Sequence, residues 1–251
     1  MQRMNKLILL WFVLCWNECL AIDFCNMTEC NGLRHLGCEN DLTFHENCLR
    51  TRILLNMQIY REYLLKMHNK YREEVASGVI NGLPEASHMP ELIWHFKLAL
   101  IAEYHVKRCE QDLNYCLAVS TFTDPALNYG MNWLDIQSIP NYSRSTNSEK
   151  LTVQTEIWMH QVYKLALRQY EVGEVSEIKN IVNDHNKYVG CAAAEDFNRK
   201  ASRFVLVCYY NSQIDPTSHL YTAGTFSADH CAEGVSEDYP HLCKTLPDEF
   251  D

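Results

Sequence analysis

Phe204-Val205-Leu206-Val207-Cys208-Tyr209-Tyr210 is the stretch on which the fold turns. Its first four residues are apolar without alternation, the pattern of a strand covered on both faces rather than half-solvated. Working outward, Tyr188 to Ala194 is a second strand-like run, and Glu195 to Ser202 reads as a polar connection between the two. Leu127 to Leu134 is a candidate third strand. Helical patterns flank these runs. From Met57 to Ala76 the apolar residues Tyr60, Leu64, Met67, Tyr71 and Val75 recur at spacings of three and four, ahead of Gly78, Gly82 and Pro84. That is an amphipathic helix with stop signals behind it. A second helix is predicted from about His95 to Glu110, with Ala99, Ala102, Val106 and Cys109 on one face, and a third from about Glu149 to Tyr170. A shorter one is predicted near 175–182. A small sheet with helices on both faces is the economical way to bury all of these stripes.

The remaining bounds concern compartment and partners. The chain has 251 residues, with 32 acidic side chains against 22 basic ones and a formal charge of −10. That balance argues against nucleic acid, which needs a net basic face. Arg3 and Lys6 precede the apolar run Leu7–Trp16, and a short polar stretch ends at Ala21. This is the layout of a secretory leader over residues 1–21, too short to span a bilayer, which takes roughly 20 apolar residues. No second long apolar run follows, so no membrane span is expected. Without residues 1–21 the charges are 20 basic against 31 acidic, a net −11. Twelve cysteines then fall to ten: Cys25, Cys30, Cys38, Cys48, Cys109, Cys116, Cys191, Cys208, Cys231 and Cys243. An even count in a secreted chain reads as five disulfides of undetermined pairing. Asn26-Met27-Thr28 and Asn141-Tyr142-Ser143 are glycosylation sequons consistent with that compartment. The expected organisation is a leader (1–21), a cysteine-rich arm (22–56), one domain (57–213) and an irregular tail (214–251).

At this point the residues resemble the CAP superfamily of cysteine-rich secretory, antigen 5 and pathogenesis-related proteins. His68-Asn69-Lys70-Tyr71-Arg72 is similar to the family's His-Asn-x-x-Arg, and Met89-Pro90-Glu91-Leu92-Ile93-Trp94 leads into a similar second helix. Gly130-x-Asn132, Val189-Gly190-Cys191 and Val205-Leu206-Val207-Cys208-x-Tyr210 follow in the family's order. The arm resembles the insect antigen 5-like (venom allergen) branch. The resemblance implies a three-layer α-β-α sandwich. It also implies the pairs Cys25–Cys38, Cys30–Cys116, Cys48–Cys109 and Cys191–Cys208, leaving Cys231 with Cys243.

Many members carry two His and two Glu in a central cleft, a set able to hold a divalent metal. Carried over one at a time, those four positions are here Leu113, Met131, Gln161 and Glu177. Zinc needs three or four N, S or O donors at about 2.0–2.3 Å. Leu and Met supply no hard donor and neutral Gln is a poor one, so neither metal nor other cofactor is expected there. Glu177 reads either as a solvated helix residue or as a buried carboxylate with a raised pKa. The apolar replacements either fill the cleft as core or admit an apolar ligand.

Other chemistry is thin. No Gly-x-Ser-x-Gly, His-Glu-x-x-His or phosphate-loop pattern occurs, and His45-Glu46 continues as Asn47-Cys48 and so fails as a zincin motif. His219, His230 and His241 beside Cys231 and Cys243 could form a metal site, although solvated tail histidines are the ordinary reading. His95, His105 and His160 read as surface or core residues, and His68 as packing or hydrogen bonding. Trp94 and Trp158 read as core, with Trp133 either core or groove-lining. These observations predict a secreted, non-enzymatic binding module whose partner is another extracellular or cell-surface protein. Its setting would be reproductive (seminal) fluid, saliva or haemolymph. A lipid or sterol carrier with an apolar small-molecule ligand is the alternative, and a hydrolase comes third.

Overall fold

The computed structural model describes residues 23–111, 114–119, 121–139, 144–167, 177–214 and 218–247. The predicted leader, Leu113 and the sequon at Asn141 therefore lie outside the described residues, as do the end of the predicted third helix and the start of the fourth.

The sheet is built on the two runs that opened the reading. Strand β5 (Tyr188–Phe197) and strand β6 (Ala201–Tyr210) form an antiparallel hairpin. The long strand β4 (Ala126–Asp135) pairs antiparallel with β6, from Ala126 opposite Tyr210 to Asp135 opposite Ala201. The other edge of β5 is shared by β1 (Thr51–Leu54), antiparallel, and β3 (Ile93–Trp94), parallel. A separate pair joins β2 (Ala86–His88) to β7 (Thr222–Ala223). The strands β1, β2, β3 and β7 have four residues or fewer, too short for a periodicity to announce them.

Both faces of the sheet are covered, as the unalternating run required. On one face helix α1 (Met57–Ala76), helix α3 (Asn147–Met159) and helix α5 (Glu177–Val182) pack on Ala193, Phe204, Leu206 and Tyr210. On the other, helix α2 (Phe96–Val106) lays Leu98, Ile101, Ala102 and Val106 on Ala192, Val205, Val207 and Tyr209. The approach of α2 requires Gly190, because a β-carbon there would collide with the backbone of Ala99 and His95.

Two sequence expectations need correction. Glu195 to Ser202 is not a solvated connection: the strands run through it, only 198–200 make the turn, and Glu195 and Asp196 are buried. The predicted third helix is interrupted after Met159 and resumes as helix α4 (Val162–Leu167). Gln161 sits in the break, its amide donating to Trp158 O in a tightened final turn.

Five disulfides staple this frame: Cys25–Cys38, Cys30–Cys116, Cys48–Cys109, Cys191–Cys208 and Cys231–Cys243. The second and third close 86 and 61 residues and fasten the arm to the chain just beyond α2. The tail is packed rather than loose. Leu220, Tyr221 and Leu242 join the core under α1, and backbone bonds Cys243 N to Met89 O and Glu91 N to Cys243 O hold it there.

Candidate functional site

The first turns of α1 are set by Asn56, whose side chain accepts from Gln58 N. The helix then buries a stripe more polar than its apolar periodicity suggested: Leu64, His68, Asn69, Arg72, Val75 and Ala76. Every polar member has partners. His68 Nδ1 lies 2.7 Å from Leu64 O and must donate to it, so Nε2 accepts from the Tyr210 hydroxyl at 2.9 Å. Burial holds this imidazole down to a pKa of about 4, against the bond to Leu64. Asn128 Nδ2 donates to the same Tyr210 oxygen and to Glu177 O, and Asn180 Nδ2 donates to Asn128 Oδ1. Arg72, fully buried, donates to the carbonyls of Pro90, Ile181, Asn183 and Asn186. Burial lowers its pKa to about 9, opposed by Asp184, so it stays cationic at neutral pH. One guanidinium thus ties α1 to the segment after α5 and to the chain before β3.

Beside this knot lies the position where the resemblance placed a metal cleft. Gln161 Nε2 donates to Glu177 Oε2 at 2.6 Å. Gln161 Oε1 accepts from the amides of Glu177 and Ile178 at 3.2 Å each, which satisfies two free N–H groups at the start of α5. Both side chains are half-buried. Met131 is not with them. Asn128 and Gly130 face α3 and α5, where a β-carbon on Gly130 would strike the Gln154 carboxamide. Strand alternation therefore turns Met131 to the α2 face, opposite Val205, and it is 47% exposed. The described residues bring together Gln161 and Glu177 alone of the four positions, and that pair offers one carboxylate already bonded to an amide. This donor set does not fit a divalent ion.

The other candidates fall out as follows. His95 caps α2, its Nδ1 accepting from Leu98 N, and His105 is buried with Nδ1 2.7 Å from the Tyr209 hydroxyl. His160 is exposed at the end of α3. Trp158 is core; Trp94 is half-buried. Trp133 is 55% exposed and borders a groove of about 340 Å³ with Leu134, Val153 and Phe204. Asn26 is exposed, its amide donating to Asp23. Two triplets among the described residues have metal-like spacing, His68 with Cys191 and Cys208 and Asp196 with Cys48 and Cys109. In both, the sulfurs belong to disulfides and offer no thiolate. The tail histidines do not converge in any such group: His230 lies by Asp229, whereas His241 joins Ser227.

Sequence reasoning missed that last arrangement. Ser227 Oγ lies 2.6 Å from His241 Nδ1, and Glu73 accepts from His241 N while standing 3.9 Å from Nε2. The trio resembles a serine–histidine–acid set, yet Ser227 N is given to Glu85 and Ala228 N to Ala86 O. The amides that could stabilise an oxyanion there are committed, so the trio reads as a clasp holding the tail on α1. Nothing in the order of residues flags it, because its members are 168 positions apart at the widest.

A three-layer α-β-α sandwich with a disulfide-stapled arm, an antiparallel core sheet and a buried His-Asn-x-x-Arg knot defines the class. Residues 65–210 match the CAP, cysteine-rich secretory protein family, and the chain belongs to that family. Its relatives are venom allergen and antigen 5-like proteins of insects. Venom allergen-1 of Aedes aegypti is 24% identical over 234 residues, covering 90% of this chain and 88% of that protein. Antigen 5 like allergen Cul n 1 of Culicoides nubeculosus is 34% identical over 128 residues, 47% of this chain and 58% of that protein. Among solved structures, NaASP2 with Zn2+ shares the fold at a TM-score of 0.55 and 15% identity, covering 80% of this chain and 99% of that one.

Proposed function

We propose that this protein is secreted through its predicted leader and works as a non-enzymatic extracellular binding module, engaging a protein partner through its surface. The observation that carries the reading is the Gln161–Glu177 pair. A neutral carboxamide there binds the carboxylate and the first amides of α5, using up the groups that would otherwise grip a cation or move a proton. Neither Leu113 nor Met131 has a hard donor to add, and Met131 lies on the opposite face of the sheet, so no metal is expected beside Glu177. No helix among the described residues is long and apolar enough to cross a membrane, and ten paired cysteines suit an oxidising fluid.

The test is affinity capture from candidate fluids, seminal, salivary and haemolymph, alongside turnover assays on generic ester and peptide substrates. A saturable protein partner without turnover supports the reading. Turnover abolished by Glu177→Ala or Ser227→Ala overturns it. A second reading, an apolar small-molecule carrier, is favoured by the Trp133–Leu134–Val153–Phe204 groove. Native mass spectrometry showing a retained lipid, displaced in Val153→Glu, would establish that instead.

A further inference from the structure

The chain is strongly acidic, yet one end of the sheet is basic. The β5–β6 turn carries Arg199 and Lys200, and β1 begins beside it with Arg50, Thr51 and Arg52, Thr51 standing opposite Phe197. All four cationic side chains are exposed, and among the described residues none of them has an ion pair. The carboxylates nearest in sequence are already used. Glu195 is buried and takes Arg144, Lys150 and Ser202; burial would raise its pKa, but these partners outweigh that and hold it below the usual range. Asp196 is buried under Arg203 and also accepts from Leu49 N. Asp135, opposite Ala201, is exposed and accepts from Gln137 N, the nearest solvent-facing acid in the strand register.

The turn is built rather than loose. Asn198 Oδ1 accepts from the amides of Lys200 and Ala201, Asn198 N donates to Ala201 O, and Lys200 O accepts from Ile136 N. Arg199 and Lys200 are thereby presented at a fixed tip. With Arg50, Thr51, Phe197 and Asn198 they line an open groove of about 770 Å³. Arg144, paired with Glu195, lies 4.7 Å over the Phe197 ring.

We infer that this groove binds a sulfated polysaccharide, with Arg50, Arg199 and Lys200 as its principal contacts. Arginine forks match the paired oxygens of a sulfate, and an extended polyanion can run past several cations at once, gaining from release of its counterions. A sulfated chain fits better than an anionic membrane because every residue lining the groove except Phe197 carries a charged or hydrogen-bonding side chain. Its one large apolar side chain, Phe197, is half-buried beneath Arg144, leaving no apolar anchor to enter a bilayer. The site rests on the extracellular reading for its setting and would locate the protein on a cell surface or matrix.

The experiment measures binding of heparin, fully desulfated heparin and phosphatidylserine vesicles to the intact protein across a salt series. Wild type should bind heparin with a steep salt dependence and ignore the desulfated form. Arg199→Ala/Lys200→Ala, at an exposed turn, should weaken heparin by about tenfold and flatten the salt slope. Lys66→Ala/Lys70→Ala, on the solvent face of α1, should leave binding unchanged. No heparin binding at low salt, equal loss in both double variants, or vesicle binding tighter than heparin would each overturn the assignment. Capture of a protein partner without heparin binding would sink this site alone and leave the proposed function standing.

Discussion

His68 and Gln161 lie on the same side of one sheet, and their surroundings could hardly differ more. The His68–Arg72 knot is buried, every donor meets an acceptor, and the acceptors are mostly backbone carbonyls of distant segments. The Gln161–Glu177 pair is half-buried, neutral on one side, and local to a helix break and the start of α5. The first is architecture: removing a member strands groups in the core. The second stands where the resemblance places a metal cleft, and its bonds join Gln161 to the Glu177 carboxylate and close the start of α5. Polar residues inside a fold are thus not equal witnesses to function; the number of buried partners a side chain satisfies separates the two kinds.

The sharpest way to break this contrast is Arg72→Ala. It takes the guanidinium away from four buried carbonyl groups, of which Asn183 O keeps the Asn186 amide, and a loss on the order of 3–5 kcal/mol is expected by chemical denaturation. A loss under about 1 kcal/mol would mean the knot is ornamental. Replacing Cys48 and Cys109 by alanine should cost roughly 2–4 kcal/mol and expose the arm to protease before the sandwich unfolds. Limited proteolysis that attacks arm and core together would contradict the division. His68 has a folded pKa of about 4 against 6.5 when free. Because the unfolded chain takes up the proton first, stability present above pH 6.5 falls as pH drops towards 4, by about 3 kcal/mol at most. His35, whose pKa is also lowered by burial against its bond to Ala118, adds to the same window. In His68→Gln most of that slope between pH 6.5 and 4 should vanish, read as denaturation midpoint against pH. Smallest of all, Gln161→Ala should cost about 1 kcal/mol, since water reaches the amides it frees.

How much of this was legible before any coordinates differs by region for physical reasons. The sandwich was readable because strand β6 and helix α1 are long enough for their patterns to outweigh chance, and because motif order pointed to the family. Helix α1 runs from Met57 to Ala76, the range its periodicity indicated. Its buried stripe was misjudged, since Tyr60, Met67 and Tyr71 match the apolar spacing while His68 and Arg72 take the inner positions. Buried polar groups are invisible to a hydrophobic pattern and become plausible only when their partners, here up to 142 residues away, are known. Glu195 and Asp196 misled in the same way: charged residues read as solvent, and only Arg144, Lys150 and Arg203 make their burial affordable. The cleft positions came from the resemblance as residue types without a shape. Alternation along β4, set by its register with β6, sends Met131 to the opposite face from Asn128.

The central claim, that Gln161 and Glu177 no longer form part of a cation site, is open to direct measurement. The purified protein is equilibrated with zinc, dialysed without chelator, and its metal content determined beside Glu177→Ala. Well under one zinc per chain, the same in both proteins, is the result predicted; one zinc per chain that disappears in Glu177→Ala would contradict it.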